Sequence, residues 1–121
     1  MFPFDSIRSW AHRRKRQEKL RLAQQWPTVS AEINHWSVIP ADQELASSAT
    51  PYQIEASFHF IVDGEYFGGY LRSIALTHHS AELMAKGAPT VTIRYDPANP
   101  DSTAVLAEDN AANLPFQVLS G

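Results

Sequence analysis

The sequence predicts a mainly β fold: a small antiparallel barrel or sandwich preceded by an N-terminal α-helix. Three observations carry this expectation. Tyr52, Ile54, Ala56, Phe58, Phe60 and Val62 occupy alternate positions, the period of a strand with one buried face. Asp63-Gly64 follows at once, and a two-residue type I′ turn needs such a pair because both central residues take positive φ. Further short alternating runs stand before and after this hairpin with turn residues between them. The 121 residues suit one domain of ordinary size.

Residues 1–25 read as a basic amphipathic helix and residues 26–121 as the β domain. Asp5 and Ser6 are both good N-cap types, and no Gly or Pro interrupts from there to Pro27. Phe4, Ile7 and Ala11 fall at helical spacing with Trp10 beside them, giving one short apolar stripe. His12, Arg13, Arg14, Lys15 and Arg16 then encircle the helix at about 100° per residue. Leu20, Ala23 and Trp26 restart an apolar face at another angle.

Residues 28–39 form the first predicted strand. Val29, Ala31 and Ile33 share one parity and Trp36 and Val38 the other, so a bulge near Asn34-His35 is expected to return the latter pair to the core face. Residues 40–51 read as a loop. The tight turn at 63–64 fixes the hairpin register: facing position numbers sum to 127, as 62 and 65 do. Phe60 then meets Phe67 and Phe58 lies across from Gly69 on the inner face; Glu55 meets Arg72, Ser57 meets Tyr70 and Ile61 meets Tyr66 on the outer face. Such cross-strand pairs contribute about 0.2–1 kcal/mol each. A short helix over residues 80–86 is expected, capped by Ser80, with Glu82 in its first turn, Lys86 in its last and Gly87 as its stop. Residues 90–95 form a strand with Val91, Ile93 and Tyr95 on one face. Asp96-Pro97-Ala98-Asn99 has the residues of a type I turn, and Pro100 is expected to keep the strand from continuing. Residues 102–106 make a weaker strand, and Leu114, Phe116 and Val118 alternate in a last one. The resulting order, β-β-β-α-β-β with one short helix between the third and fourth strands, is that of an OB-like barrel.

The net charge of -3 conceals a split. Residues 1–25 carry seven cations against two acids, a net +5; the remainder carries three cations against eleven acids, a net -8. Such asymmetry points to an arm that binds a polyanion or packs on its own body. No cysteine is present, which excludes disulfides, thiolate metal sites and a cysteine nucleophile. No window approaches the ~18 apolar residues of a membrane span, and the first residues lack the basic-then-apolar layout of a secretory signal.

Several segments carry a resemblance. The hairpin reads Phe58-His59-Phe60-Ile61-Val62-Asp63-Gly64-Glu65-Tyr66-Phe67-Gly68, and the closing segment Gly87-Ala88-Pro89-Thr90-Val91-Thr92-Ile93-Arg94-Tyr95-Asp96-Pro97-Ala98-Asn99-Pro100. Together, over about residues 26–106, they resemble a bacterial domain-of-unknown-function family with a V-x-G-x-x-Y-x-G hairpin and a closing Y-D-P-x-N-P turn. The resemblance implies a small β domain, usually flanked by membrane spans, and no established activity. Here a basic helix with Phe2, Phe4, Ile7 and Trp10 stands where a span is expected.

Catalytic chemistry finds little footing. His78-His79 is the one histidine pair, and adjacent side chains diverge too far to hold one metal. His59 falls on the outer face and reads as solvated. Asp96, before Pro97, reads as a turn-fixing carboxylate. No nucleophile motif or phosphate loop is present, so no enzyme activity, cofactor or metal is expected. Tyr66 and Tyr70 share the outer face with Ile61; the expectation is that the N-terminal helix or a neighbouring strand covers them, since the helix's apolar stripes need somewhere to pack. Left open, they form an aromatic patch suited to a partner. The candidate interaction residues are therefore Ile7, Trp10, Arg13, Arg14, Lys15, Arg16, Tyr66 and Tyr70. The expected function is a non-catalytic binding or assembly module, with a protein partner or self-association. The expected location is cytoplasmic, and the N-terminal helix is a candidate contact to an anionic membrane surface at its inner face. The alternative is an OB-like nucleic-acid binder using the basic arm and the two tyrosines, against which the net -8 of the body speaks.

Overall fold

A computed structural model describes residues 14, 15, 17–86, 89–111 and 118–119, the last two by their backbone. Helix α1 is helical at 14, 15 and 17–23. It ends in a tightened turn: Gln25 N–H donates to the Leu22 carbonyl and Trp26 N–H to that of Ala23, both at 3.1 Å. Pro27 then passes the chain into β1 (Thr28–Pro40). The remaining elements are β2 (Tyr52–Val62), β3 (Glu65–Ser73), α2 (His78–Met84), β4 (Thr90–Asp96), β5 (Asn99–Ala104), α3 (Ala107–Asn110) and β6 (Val118–Leu119).

The strands hydrogen-bond in the order β5-β4-β1-β2-β3-β6, every pair antiparallel. β3 and β5 also touch, which brings the first five strands round into a nearly closed barrel. With α2 between β3 and β4, this is the OB-like arrangement expected from the sequence. Its core is built from Ala31, Ala56, Phe58, Phe60, Leu71, Val91, Ile93 and Val105. At the hairpin tip Asp63 and Gly64 have φ of 51° and 83°, the positive pair of a type I′ turn. From Val62↔Glu65 to Glu55↔Arg72 the facing positions sum to 127 throughout. The register of β1 against β2 shifts between Ile33 and His35, so the bulge lies at Asn34. Beyond it Trp36 is half-buried, but Val38 is exposed rather than returned to the core.

Phe58 and Gly69 explain how the barrel closes. A Cβ on Gly69 would lie 2.6 Å from Phe58 Cζ and 2.9 Å from Thr103 Oγ1. The bare backbone therefore admits the Phe58 ring from β2 and lets β5 approach β3 at the seam.

The second helix starts earlier than expected. Thr77, not Ser80, is the N-cap, and its Oγ1 accepts from Ser80 N–H at 3.1 Å. The two caps compete for one helix, and starting at His78 places Ala81 against Ile54 and Leu76 in a small apolar cluster. Glu82 consequently leaves the first turn and pairs with His78 one turn back, at 3.0 Å; no basic residue stands in the last turn, and the expected stop at Gly87 lies outside the described residues. Pro100 also departs from expectation. It lies inside β5, near a register shift at Tyr95/Asp96, a place where a strand tolerates the missing N–H. Asp96 does fix the turn, its Oδ1 accepting from Ala98 N–H at 2.9 Å. Helix α3 was not expected. Of the last expected strand only Val118–Leu119 is described, paired with Ser73 and Arg72 of β3.

Candidate functional site

Two regions gather side chains that do more than fill the core. The first roots the N-terminal helix. Ala23 is fully buried against Ala104 and Leu106, with Leu20 and Trp26 packed beside them. Lys19 is half-buried, and burial pushes its ammonium below the ordinary lysine value. Arg94 of β4 completes the joint. Its Nη1 donates to the carbonyls of Gln24 at 2.8 Å and Ala23 at 3.5 Å, orphan acceptors at a helix C-terminus where a cation is favoured. Its Nε and Nη2 donate to the Asp109 carboxylate, which raises the guanidinium above even its ordinary value. Asn110 closes the neighbouring gap. β5 leaves the ladder after Ala104, and the Asn110 carboxamide takes its place, accepting from Thr92 N–H and donating to the Thr92 and Leu106 carbonyls, each at 2.9 Å.

The second region is the outer face of β1, β2 and β3. Register places Ile61 beside Tyr66, His59 beside Gly68, Ser57 beside Tyr70 and Glu55 beside Arg72. Ile61, Tyr66 and Tyr70 are 50%, 73% and 65% exposed. No described residue of the chain covers them, and the Phe4–Trp10 stripe expected to do so lies outside the described residues. Leu20 and Ala23 of α1 pack beside the end of β5 at Ala104 and Leu106, where Arg94 also offers its guanidinium to the helix end. His59 is not simply solvated either. Its Nε2 meets Glu32 Oε2 at 3.1 Å and its Nδ1 meets Asn34 Oδ1, while its ring lies 6.2 Å from that of Tyr66. The bulge at Asn34 makes this contact, because a residue outside the ladder can turn its side chain toward the histidine. Arg72 is shared by Glu55 at 3.3 Å and Asp42 at 3.6 Å.

The structure thus brings Tyr66 and Tyr70 together on one face, away from the described end of α1 at Ala104 and Leu106. Arg14 and Lys15 are exposed at the start of the described helix; Ile7, Trp10, Arg13 and Arg16 lie outside the described residues. Sequence reasoning missed Glu32 and Asn34 as partners of His59. The predicted bulge was the available signal, since it releases Asn34 beside position 59. Asp109 and Asn110 were missed because α3 was. Among the described residues no group of three or more His, Asp or Glu side chains could hold a metal ion, and no helix is long and apolar enough to cross a membrane.

The profile of a family described as Domain of unknown function (DUF3592) matches residues 29–110. The chain belongs to the DUF3592 family. The DUF3592 span runs from the first residues of β1 to the end of α3, so it takes in the barrel, the Arg94–Asp109 pair and the tyrosine face, and leaves α1 outside. Neither the curated proteins nor the solved structures give a match.

Proposed function

We propose that this DUF3592 domain is a non-catalytic binding module whose contact surface is the outer face of β2 and β3. One observation carries the reading: Ile61, Tyr66 and Tyr70 stand exposed together on a hairpin whose other face is the barrel core. Tyrosine offers a large contact area at small entropic cost, and a rigid strand pair holds it ready. Polar groups for orientation lie alongside, in Ser57 and in His59 fixed by Glu32 and Asn34. The partner is a protein rather than a nucleic acid, because Glu32 and Glu55 stand on this face beside His59 and Arg72 and repel phosphate. The histidines and Asp96 are read as structural: His78 pairs with Glu82 on an exposed helix, and Asp96 serves its turn.

Site-specific photo-crosslinking in the expressing cell tests this. A crosslinking residue at position 66 or 70 is expected to trap discrete protein adducts that are missing when it replaces the exposed Asp101. Identical patterns from all three positions would sink the reading.

A further inference from the structure

We propose that the occupant of this face is the basic N-terminal arm of a second copy of the chain. The proposal rests on reading the face as a contact surface, and it names the partner. Three observations lead to it.

The first is charge. The arm carries a net +5 and the rest of the chain -8. The outer face and the loop beside it concentrate the negative side: Glu32 meets His59, and both Glu55 and Asp42 meet Arg72. Arg72 is shared between Glu55 and Asp42, so the face stays net negative. Copies of a chain divided in this way attract one another arm to face.

The second is shape. Tyr66 and Tyr70 are four residues apart on one side of β3, roughly 13 Å along the strand. Gly68 stands between them with no side chain; a Cβ there would come 3.1 Å from the Phe58 carbonyl oxygen. His59 lies across from Gly68, and Glu32 stands behind the histidine. The His59 ring lies 6.2 Å from that of Tyr66, so a guanidinium or ammonium docking beside them finds aromatic surface and the Glu32 carboxylate together, a combination that favours a cation. Arg13, Arg14, Lys15 and Arg16 supply such cations in one run, and Ile7 and Trp10 supply apolar residues to cover Ile61.

The third is where the arm is rooted. Ala23, Gln24 and Arg94 fix its base beside β4 and β5, whereas the tyrosines sit on β3 and remain 73% and 65% exposed within their own chain. Two copies that exchange arms bury both faces and close as a two-fold pair.

Sedimentation velocity on the full chain is the test, using two full-length variants. One reverses the arm's charge (R13E, R14E, K15E and R16E together), and one empties the face (Tyr66→Ser with Tyr70→Ser). The wild type is expected to dimerise reversibly at low salt and to dissociate at high salt. Each variant alone is expected to raise the dimer dissociation constant by at least about tenfold. Mixed, the two are expected to form a heterodimer, because one supplies the arm and the other the face. A chain monomeric at every concentration and salt would overturn the proposal, as would a dimer that neither variant weakens. So would a monomer whose arm instead carries it onto anionic vesicles in flotation, face variant and wild type alike. Protein crosslinks from position 66 on a strictly monomeric chain would overturn the second-copy occupant and leave the binding reading standing.

Discussion

Arg94 and Asp109 meet through two parallel bonds, Nε to Oδ2 at 2.8 Å and Nη2 to Oδ1 at 2.9 Å. Their side chains keep only 16% and 13% of their exposure. The third nitrogen of Arg94 ties down the end of α1, so one guanidinium joins the N-terminal helix, β4 and α3. Removing one partner of a largely buried pair strands the other charge, which costs about 3–5 kcal/mol. Asp109→Ala is therefore expected to lower unfolding free energy in urea by that order. Glu55→Ala, which breaks a more exposed pair with Arg72, is expected to cost no more than about 1 kcal/mol. Equal losses from the two substitutions would contradict this account of the joint.

Gly69 and Gly64 make opposite demands. A methyl group at Gly69 collides with the Phe58 ring and Thr103, while one at Gly64 meets nothing within 4 Å and suffers only from φ of +83°. Gly69→Ala forces the seam between β3 and β5 apart and is expected to cost about 2–3 kcal/mol; Gly64→Ala is expected to cost about 1–2 kcal/mol from left-handed backbone strain. The mechanisms separate in a double mutant. Phe58→Leu removes part of the ring that the methyl group strikes, so its cost and that of Gly69→Ala should add to less than their sum. Strict additivity would show that the ring is not what Gly69 accommodates.

Gln53 is fully buried on the side of β2 that alternation assigns to solvent. Its Nε2 donates to the Ser73 carbonyl at 2.8 Å and its Oε1 accepts from Asp42 N–H at 3.1 Å, fastening the loop between β1 and β2. Gln53→Leu keeps the volume and leaves both backbone groups unpaired, for a loss of about 1–3 kcal/mol. Hydrogen exchange at the Asp42 amide is expected to accelerate more than that of the central β2 amides. Unchanged exchange at Asp42 would mean the loop is held by something else.

These residues show where the sequence is legible and where it is not. The hairpin was readable because its determinants are local: a period of two, a turn pair with one compatible geometry, and a register that follows from them. The same register placed Ile61, Tyr66 and Tyr70 on one outer face. What neighbours that face depends on distant contacts, and there reading failed. Gln53 carries no mark of burial, since the loop that covers it returns from another strand. Arg94 looks like any outward strand residue until α3 brings Asp109 beside it. The four residues of α3 are too few to show a helical period, and its Asn110 substitutes for a strand that has left the ladder. His59 was readable only in part, because its partners come through a bulge whose location was foreseen and whose side-chain consequence was not.

Tyr66 and Tyr70 are the residues for which stability and function should part. Both are mostly exposed, and on the inner side of their strand Phe67 and Leu71 make the core contacts. Tyr66→Ser and Tyr70→Ser remove aromatic surface that the barrel itself hardly uses. Each is expected to shift unfolding free energy by no more than about 0.5 kcal/mol, the usual range for surface changes away from special features, with a small extra loss from cross-strand contact to Ile61. Phe67→Ser, next to Tyr66 in sequence but stacked on Phe60 at a centroid distance of 5.8 Å, is expected to cost several times more, about 2–4 kcal/mol. Thermal or urea unfolding of the three variants decides. If the tyrosine variants lose as much as Phe67→Ser, the tyrosines are part of the fold's own packing and the face is not held open for a partner.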